Sequence, residues 1–351
     1  MPKTISSRGK GRRRADALAQ LLLLLAPACS FAATAAPSAG QLLDAALRPS
    51  ATAYRGKMIV ARWYGRRSRA EEVEVSYSPP NKYRWEFLAP DGRPDRVVIG
   101  DGKNEWIQLP HERRLLRGSA IKSAPKRISP EAELALLFKN YDAALKGEKR
   151  VAGRPTWLLE LTPKAPRKNH ELIWIDQRTG VVLETKKFLP ERPFASLSRF
   201  ADFEPSKSLP DSLFQPETGP DVVVDDHGLD PGFLSLAELN AVSGKSLRFP
   251  GELPEGFVFE NADLLTVGGT TVRCARYTDG LTVLSLYQTD RPVRLSGTEP
   301  VQDASPADLP GSLRFSSAGK VLTWKSREGR YFTLIGDVSQ ELLRTASERL
   351  K

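Results

Sequence analysis

Acid–base or metal chemistry near neutral pH would call first on histidine, and the chain has three: His111, His170 and His227. A general base or a metal ligand needs further polar partners at a fixed spacing. His111 follows Pro110 in a turn, and His170 opens an alternating, strand-like run; both read as satisfied surface or edge histidines. Asp225-Asp226-His227 has the residue types of a metal cluster, but it sits among prolines with no further ligand at spacing, so it reads as a solvated acidic loop. The sequence holds no G-x-S-x-G, H-E-x-x-H, P-loop or dinucleotide fingerprint. No catalytic residue, metal or cofactor is expected, and the chain is not read as an enzyme. The basic runs Arg66-Arg67-Ser68-Arg69 and Lys186-Lys187 read as solvated hairpin ends.

The residue types that remain informative are aromatic and aliphatic. Trp63, Trp85, Trp106, Trp157 and Trp174 all fall on strand-like runs. Any one of them would ordinarily pack under a helix. Together they give a curved sheet more apolar surface than two short helices can cover, which predicts a cavity for an acyl chain or an apolar peptide. The candidate lining residues are Trp63, Trp85, Trp106, Leu134, Phe138, Tyr141 and Trp174.

Those residues must be positioned by strands. "HELIWIDQRTGVVLETKKF" (170–188) reads as a hairpin, with Leu172 and Trp174 on one face of its first strand and Ile173 and Ile175 on the other. Both faces are apolar in the middle, so both must be covered by protein or ligand. Period-2 runs at 54–65, 71–77, 81–88, 95–101, 104–109, 113–118, 156–163 and 196–203, broken by Gly, Pro and Asp, extend this into an antiparallel meander. A short helix is expected at 41–47. Another is expected after Ser129-Pro130, carrying Leu134, Leu137, Phe138, Tyr141 and Leu145 on one stripe and stopping at Gly147. The fold class is therefore α+β: a large curved antiparallel sheet with helices on its concave face, plus a smaller α+β domain.

Five prolines between Glu204 and Gly232 exclude a continuous helix or central strand and predict a linker. The small domain follows, with a helix at 235–244, strands at 257–267, 270–278, 281–289, 312–316, 320–326 and 330–336, and a closing helix. An Asp337/Gln340 capping box is expected to start that helix, and Leu342, Leu343, Ala346 and Leu350 to bury it. The expected organisation is 1–35 as a signal peptide, 36–203, a joint at 204–232, and 233–351.

Residues 1–35 combine a basic start (Lys3, Arg8, Lys10, Arg12, Arg13, Arg14), an apolar run at Leu21–Leu25 and the cleavage candidate Ala33-Thr34-Ala35. That is the layout of a signal peptide, with an apolar run too short to span a bilayer. Export to the periplasm, with at most peripheral membrane association, is expected. Cys29 is a weak lipidation candidate, because Ala26-Pro27-Ala28 does not fit a lipobox. Cleavage removes six basic residues and Asp16, lowering the net charge from +10 to +5, and no nucleic-acid partner is called for. Cys274 is then left without a disulfide partner.

"GRPTWLLELTPK", "ELIWIDQRTGVVLETKKF" and "FADFEPSKSLPDSLF", followed by "LPEGFVFENADLL", "RYTDGLTVLSLYQ" and "GRYFTLIGDVSQELLRTASERL", resemble in order the RseB/MucB family over roughly residues 40–350. The resemblance implies a first domain like the carriers LolA and LppX, a half-open barrel whose concave face is covered by helices and can admit lipid. It further implies a periplasmic regulator of the envelope-stress sigma factor pathway, which binds the periplasmic domain of an anti-sigma factor and is released by lipid or lipopolysaccharide. The small domain is expected to supply most of the partner contact, with coupling through the 204–232 joint. A periplasmic lipid or lipoprotein carrier is the alternative.

Overall fold

The strand-like runs zip into one twelve-stranded sheet. Its strands are β1 (Ala53–Tyr64), β2 (Arg67–Ser78), β3 (Lys82–Leu88), β4 (Pro94–Asp101), β5 (Asn104–Leu109), β6 (Arg114–Ser119), β7 (Tyr141–Val151), β8 (Arg154–Pro163), β9 (His170–Asp176), β10 (Val182–Leu189), β11 (Arg192–Ser206) and β12 (Val223–Asp226). The order is 12-6-5-4-3-2-1-11-10-9-8-7, so two meanders join where β1 pairs with β11. Among the described strands only β12 pairs in parallel, with β6. The computed structural model describes residues 36–64, 67–119, 128–190, 192–226, 234–243, 249–267, 269–292, 299–300, 310–316 and 319–350. The expected signal peptide with Cys29, and Arg66 and His227, lie outside the described residues.

The sheet curls into an antiparallel half-barrel. β7 and β11 lie four places apart in the order, roughly 19 Å in a flat sheet, yet they touch. Register shifts at Lys57/Met58, Leu145/Gly147, Val182/Glu184 and Lys187/Leu189 are bulges, which bend strands and increase their twist.

Two short helices pack against this sheet. In α1 (Ala39–Leu47), Ser38 accepts from the Gln41 N–H and the Gln41 side chain accepts from the Ser38 N–H, closing a capping box. In α2 (Pro130–Asn140), Ser129 caps the Ala132 N–H and Pro130 fills the first turn, where no N–H is needed. The expected helix is too long: it ends at Asn140, and Tyr141 and Leu145 lie on β7. Positions four apart share a face in a helix and also in a strand, so Tyr141 and Leu145 fit either period. Ala143, between them, belongs to the same cluster, as strand alternation requires. Gly147, at φ 118°, is a bulge residue and not a helix stop.

A second, eight-stranded sheet follows. Its strands are β13 (Glu252–Leu253), β14 (Phe257–Val267), β15 (Thr270–Thr278), β16 (Val283–Thr289), β17 (Glu299–Pro300), β18 (Ser312–Ser316), β19 (Gly319–Lys325) and β20 (Tyr331–Gly336), ordered 13-14-15-16-20-19-18-17. Helices α3 (Leu236–Ser243) and α4 (Gln340–Glu348) complete it. Leu342, Leu343, Ala346 and Leu350 are buried against Tyr277, Leu286, Phe332 and Leu334, as the stripe predicts. The N-cap of α4 is Ser339, whose hydroxyl accepts from the Leu342 N–H at 3.0 Å, and not Asp337.

Much of the proline-rich segment is held by the large sheet. β11 continues to Ser206, Phe214 is fully buried beside Val97, Ile99 and Trp106, and β12 forms an edge strand. An edge is where proline is tolerated.

Candidate functional site

The two faces of β8 and β9 each carry an apolar cluster. On one, Leu159, Leu161, Ile173 and Ile175 pack with Leu42 and Leu43 of α1, Leu137 of α2 and Tyr141; Leu134 and Phe138 are half-buried at its edge. On the other, Leu158, Trp174 and Leu172 pack with Val73, Val75, Leu183, Phe200 and Phe203, all supplied by strands or their turns. Both faces of the 170–176 strand are thus covered, one by helices and one by the curl of the sheet.

This arrangement sorts the seven candidate lining residues. Leu134, Phe138 and Tyr141 share the helix-covered cluster. Trp174 is in the curl, with the Lys186 ammonium 5.1 Å from its ring. Trp106 packs with Phe214. Trp85 is exposed beside Tyr83, and Trp63 is half-buried on β1. None of the seven lines a polar cleft of about 250 Å³ formed by Arg69, Glu71, Phe87, Asp95, Arg96, Leu109, His111 and Glu112.

The histidines that are described have partners. His170 Nε2 is 2.9 Å from Glu160, and His111 is 3.7 Å from Asp95. Asp225 pairs with Arg114 at 2.7 Å. Among the described residues, no His, Cys, Asp and Glu side chains group as a metal site, and no helix is long and apolar enough to cross a membrane.

A third feature was not anticipated. The turn between β15 and β16 reaches the end of α2. Its Asp279 is fully buried: Oδ1 accepts from the N–H groups of Leu281 (3.0 Å) and Thr282 (2.8 Å), while Oδ2 accepts from the Tyr141 hydroxyl (2.7 Å) and lies 3.1 Å from Lys168 Nζ. Asn140 donates to the carbonyls of Leu136 (3.0 Å) and Asp279 (3.0 Å), and Asn169 donates to the Asp337 carbonyl (2.7 Å). Lys168 Nζ also stands 5.2 Å from the Tyr141 ring and 5.4 Å from that of Phe257. Burial pulls the Lys168 ammonium down from its ordinary value, although Asp279 opposes this, and burial pushes the Tyr141 phenol up. At Gly280 (φ 93°) a Cβ would stand 2.6 Å from the Leu137 nitrogen, so this turn can approach the helix only through glycine. Burial, lone prolines and turn signals do not reveal such a pairing in sequence; the Thr278-Asp279-Gly280 string was legible only as a turn.

Residues 53–217 match the family described as MucB/RseB N-terminal domain. The match runs from β1 through β11 of the large sheet and on to Glu217. Over 324 residues, 91% of this chain and 92% of the relative, the sequence is 24% identical to the sigma factor AlgU regulatory protein MucB of Pseudomonas aeruginosa. The solved complex of Pseudomonas aeruginosa MucA and MucB superposes with a TM-score of 0.56 at 20% identity, covering 89% of this chain and 96% of that one. MucB in complex with MucA(peri) gives 0.55 at 19% identity, covering 89% and 97%. The fold of MucB therefore extends through both sheets, beyond the matched MucB/RseB domain.

Proposed function

We propose that this chain is an exported, non-enzymatic regulator that binds the periplasmic domain of an anti-sigma factor and lets it go when an apolar ligand enters the large domain. The observation that supports this best is the agreement in fold, over 89% of the chain, with MucB in its complex with MucA(peri). In this reading residues 1–35 are a signal peptide, 36–203 the lipid-sensing domain, 204–232 the joint and 233–351 the unit that supplies most of the partner contact. On the same reading a lipid chain enters at the edge of α2, where Leu134 and Phe138 are half-buried, with Tyr141 and Trp174 deeper on either side of the sheet. Entry there requires α2 to shift, and α2 carries the contact with the small unit, so ligand and partner would select different arrangements.

The test is a calorimetric titration of the mature chain with the periplasmic segment of a candidate anti-sigma factor, repeated after adding a lysophospholipid below its micelle concentration. Binding that weakens at least tenfold with lipid supports the regulator. Binding unchanged by lipid removes the ligand-release step. A half-barrel under short helices also suits a carrier, which predicts bound lipid and no affinity for the segment.

A further inference from the structure

Glu171 on β9 is a buried carboxyl in the same junction, with Lys187 across the strand pair from it. It is 8% exposed, and its Oε2 has no hydrogen-bond partner. Each element around it can be named. Leu161 of β8 and Lys187 of β10 stand opposite it in register. His170 is its neighbour on the same strand and is held by Glu160. From β7 comes Tyr141, from the turn before β9 Lys168, from the β15–β16 turn Asp279, and from the end of β20 Asp337, which is 3.8 Å from Lys187. At the rim, Arg167 reaches Glu255 (3.4 Å) and Glu341 (3.7 Å). Glu171, Asp279 and Asp337 thus gather where Lys168 is committed to Asp279 and Lys187 leans toward Asp337. One more negative charge in this buried group is one too many.

We propose that the buried cluster of Tyr141, Lys168, Asn169 and Glu171 with Asp279, Thr282 and Asp337 is a proton-controlled latch, which holds the small unit against the large sheet while Glu171 is protonated and loosens when that proton leaves. The inference goes beyond the partner-binding reading and does not depend on it, since the latch lies within this chain.

The direction follows from linkage. Burial pushes the Glu171 carboxyl above its ordinary value, with Lys187 acting against it. In the opened junction the side chain is in water and returns toward that ordinary value. The closed form therefore holds more protons, is favoured at low pH, and loses that advantage as pH rises through the raised value. Glu255, also pushed up by burial, acts in the same direction at the rim. Lys168, pulled down by burial, acts in the opposite direction, favouring closure as pH rises. The two units would thus be coupled in acid and released in alkali.

Hydrogen exchange of the full mature chain tests this, read on peptides covering 137–142 and 278–284 between about pH 5 and pH 8 and corrected for intrinsic exchange. Opening is expected to rise with pH, by at most about tenfold per pH unit, the limit for one proton. Glu171→Gln, which mimics the protonated acid, is expected to remove most of that slope and keep both peptides protected at high pH. Asp279→Asn is expected to open them at every pH, which establishes that these peptides report the latch. The proposal is overturned if Glu171→Gln follows the wild-type slope, or if Asp279→Asn leaves both peptides protected.

Discussion

Tyr141 and Asp279 lie 138 residues apart and are joined by a 2.7 Å hydrogen bond from phenol to carboxylate, with both side chains buried. Asp279 neutralises Lys168 in the same place. Removing one member of a buried pair leaves the other charged and unpaired, which costs about 3–5 kcal/mol, whereas losing one hydrogen bond to a charged group costs about 1.5–3. Asp279→Ala is therefore expected to destabilise the mature chain more than Tyr141→Phe does. Urea unfolding of the two variants measures the difference, and equal losses would mean that Lys168 finds water in the variant.

Gly280 gives a steric test of the same contact. Gly280→Ala puts a Cβ 2.6 Å from the Leu137 nitrogen and places alanine at φ 93°. A strained backbone residue costs about 1–3 kcal/mol before any clash is counted. The variant is expected to lose thermal stability and protection at the α2 terminus, while Gly153→Ala, at φ 73° with open space around it, loses only the backbone part.

What could be read from the sequence was what alternation and capping encode locally. The hairpin at 170–188, the α2 start and the α4 stripe all follow from residue types within a few positions, whereas α1 begins at Ala39, two residues before the expected start. The end of α2 did not, because Tyr141 and Leu145 satisfy both the helical and the strand period, and only pairing with β8 decides between them. The seven candidate lining residues were legible as apolar but not as a set: β-sheet curl, which depends on bulges, divides them between clusters. The junction was the least legible part. Asp279 and Gly280 look like any turn until the distant α2 terminus is brought to them.

Asp176 closes β9, and its pH response has a definite sign. Burial would raise its carboxyl, but the bidentate Arg154 (2.7 and 2.9 Å) and the Thr179 hydroxyl and N–H outweigh this and hold it below the ordinary range. Its folded value is depressed, so the stability it adds is complete above the ordinary carboxylate value and fades as pH falls through the depressed one. Urea unfolding followed by circular dichroism is expected to show wild-type stability falling as pH drops below the ordinary carboxylate range, and Asp176→Asn, less stable at neutral pH, is expected to have a shallower fall.

The helix-covered cluster separates packing from ligand entry. Leu159 is fully buried, and Leu159→Ala is expected to cost about 2–5 kcal/mol. Phe138 is only half-buried at the α2 edge, so Phe138→Ala is expected to cost less stability and yet to reduce the lipid retained on purification from the envelope. Mass spectrometry of organic extracts from equal amounts of the two proteins compares them; equal lipid from wild type and Phe138→Ala would move the entry point away from α2.

The most direct measurement of the central claim is native mass spectrometry of the mature chain mixed with the periplasmic segment of a candidate anti-sigma factor. The expected result is a defined complex of the two chains that comes apart when lipid is added. Free chain at every segment concentration, with lipid still bound to it, would contradict the regulator and leave the carrier.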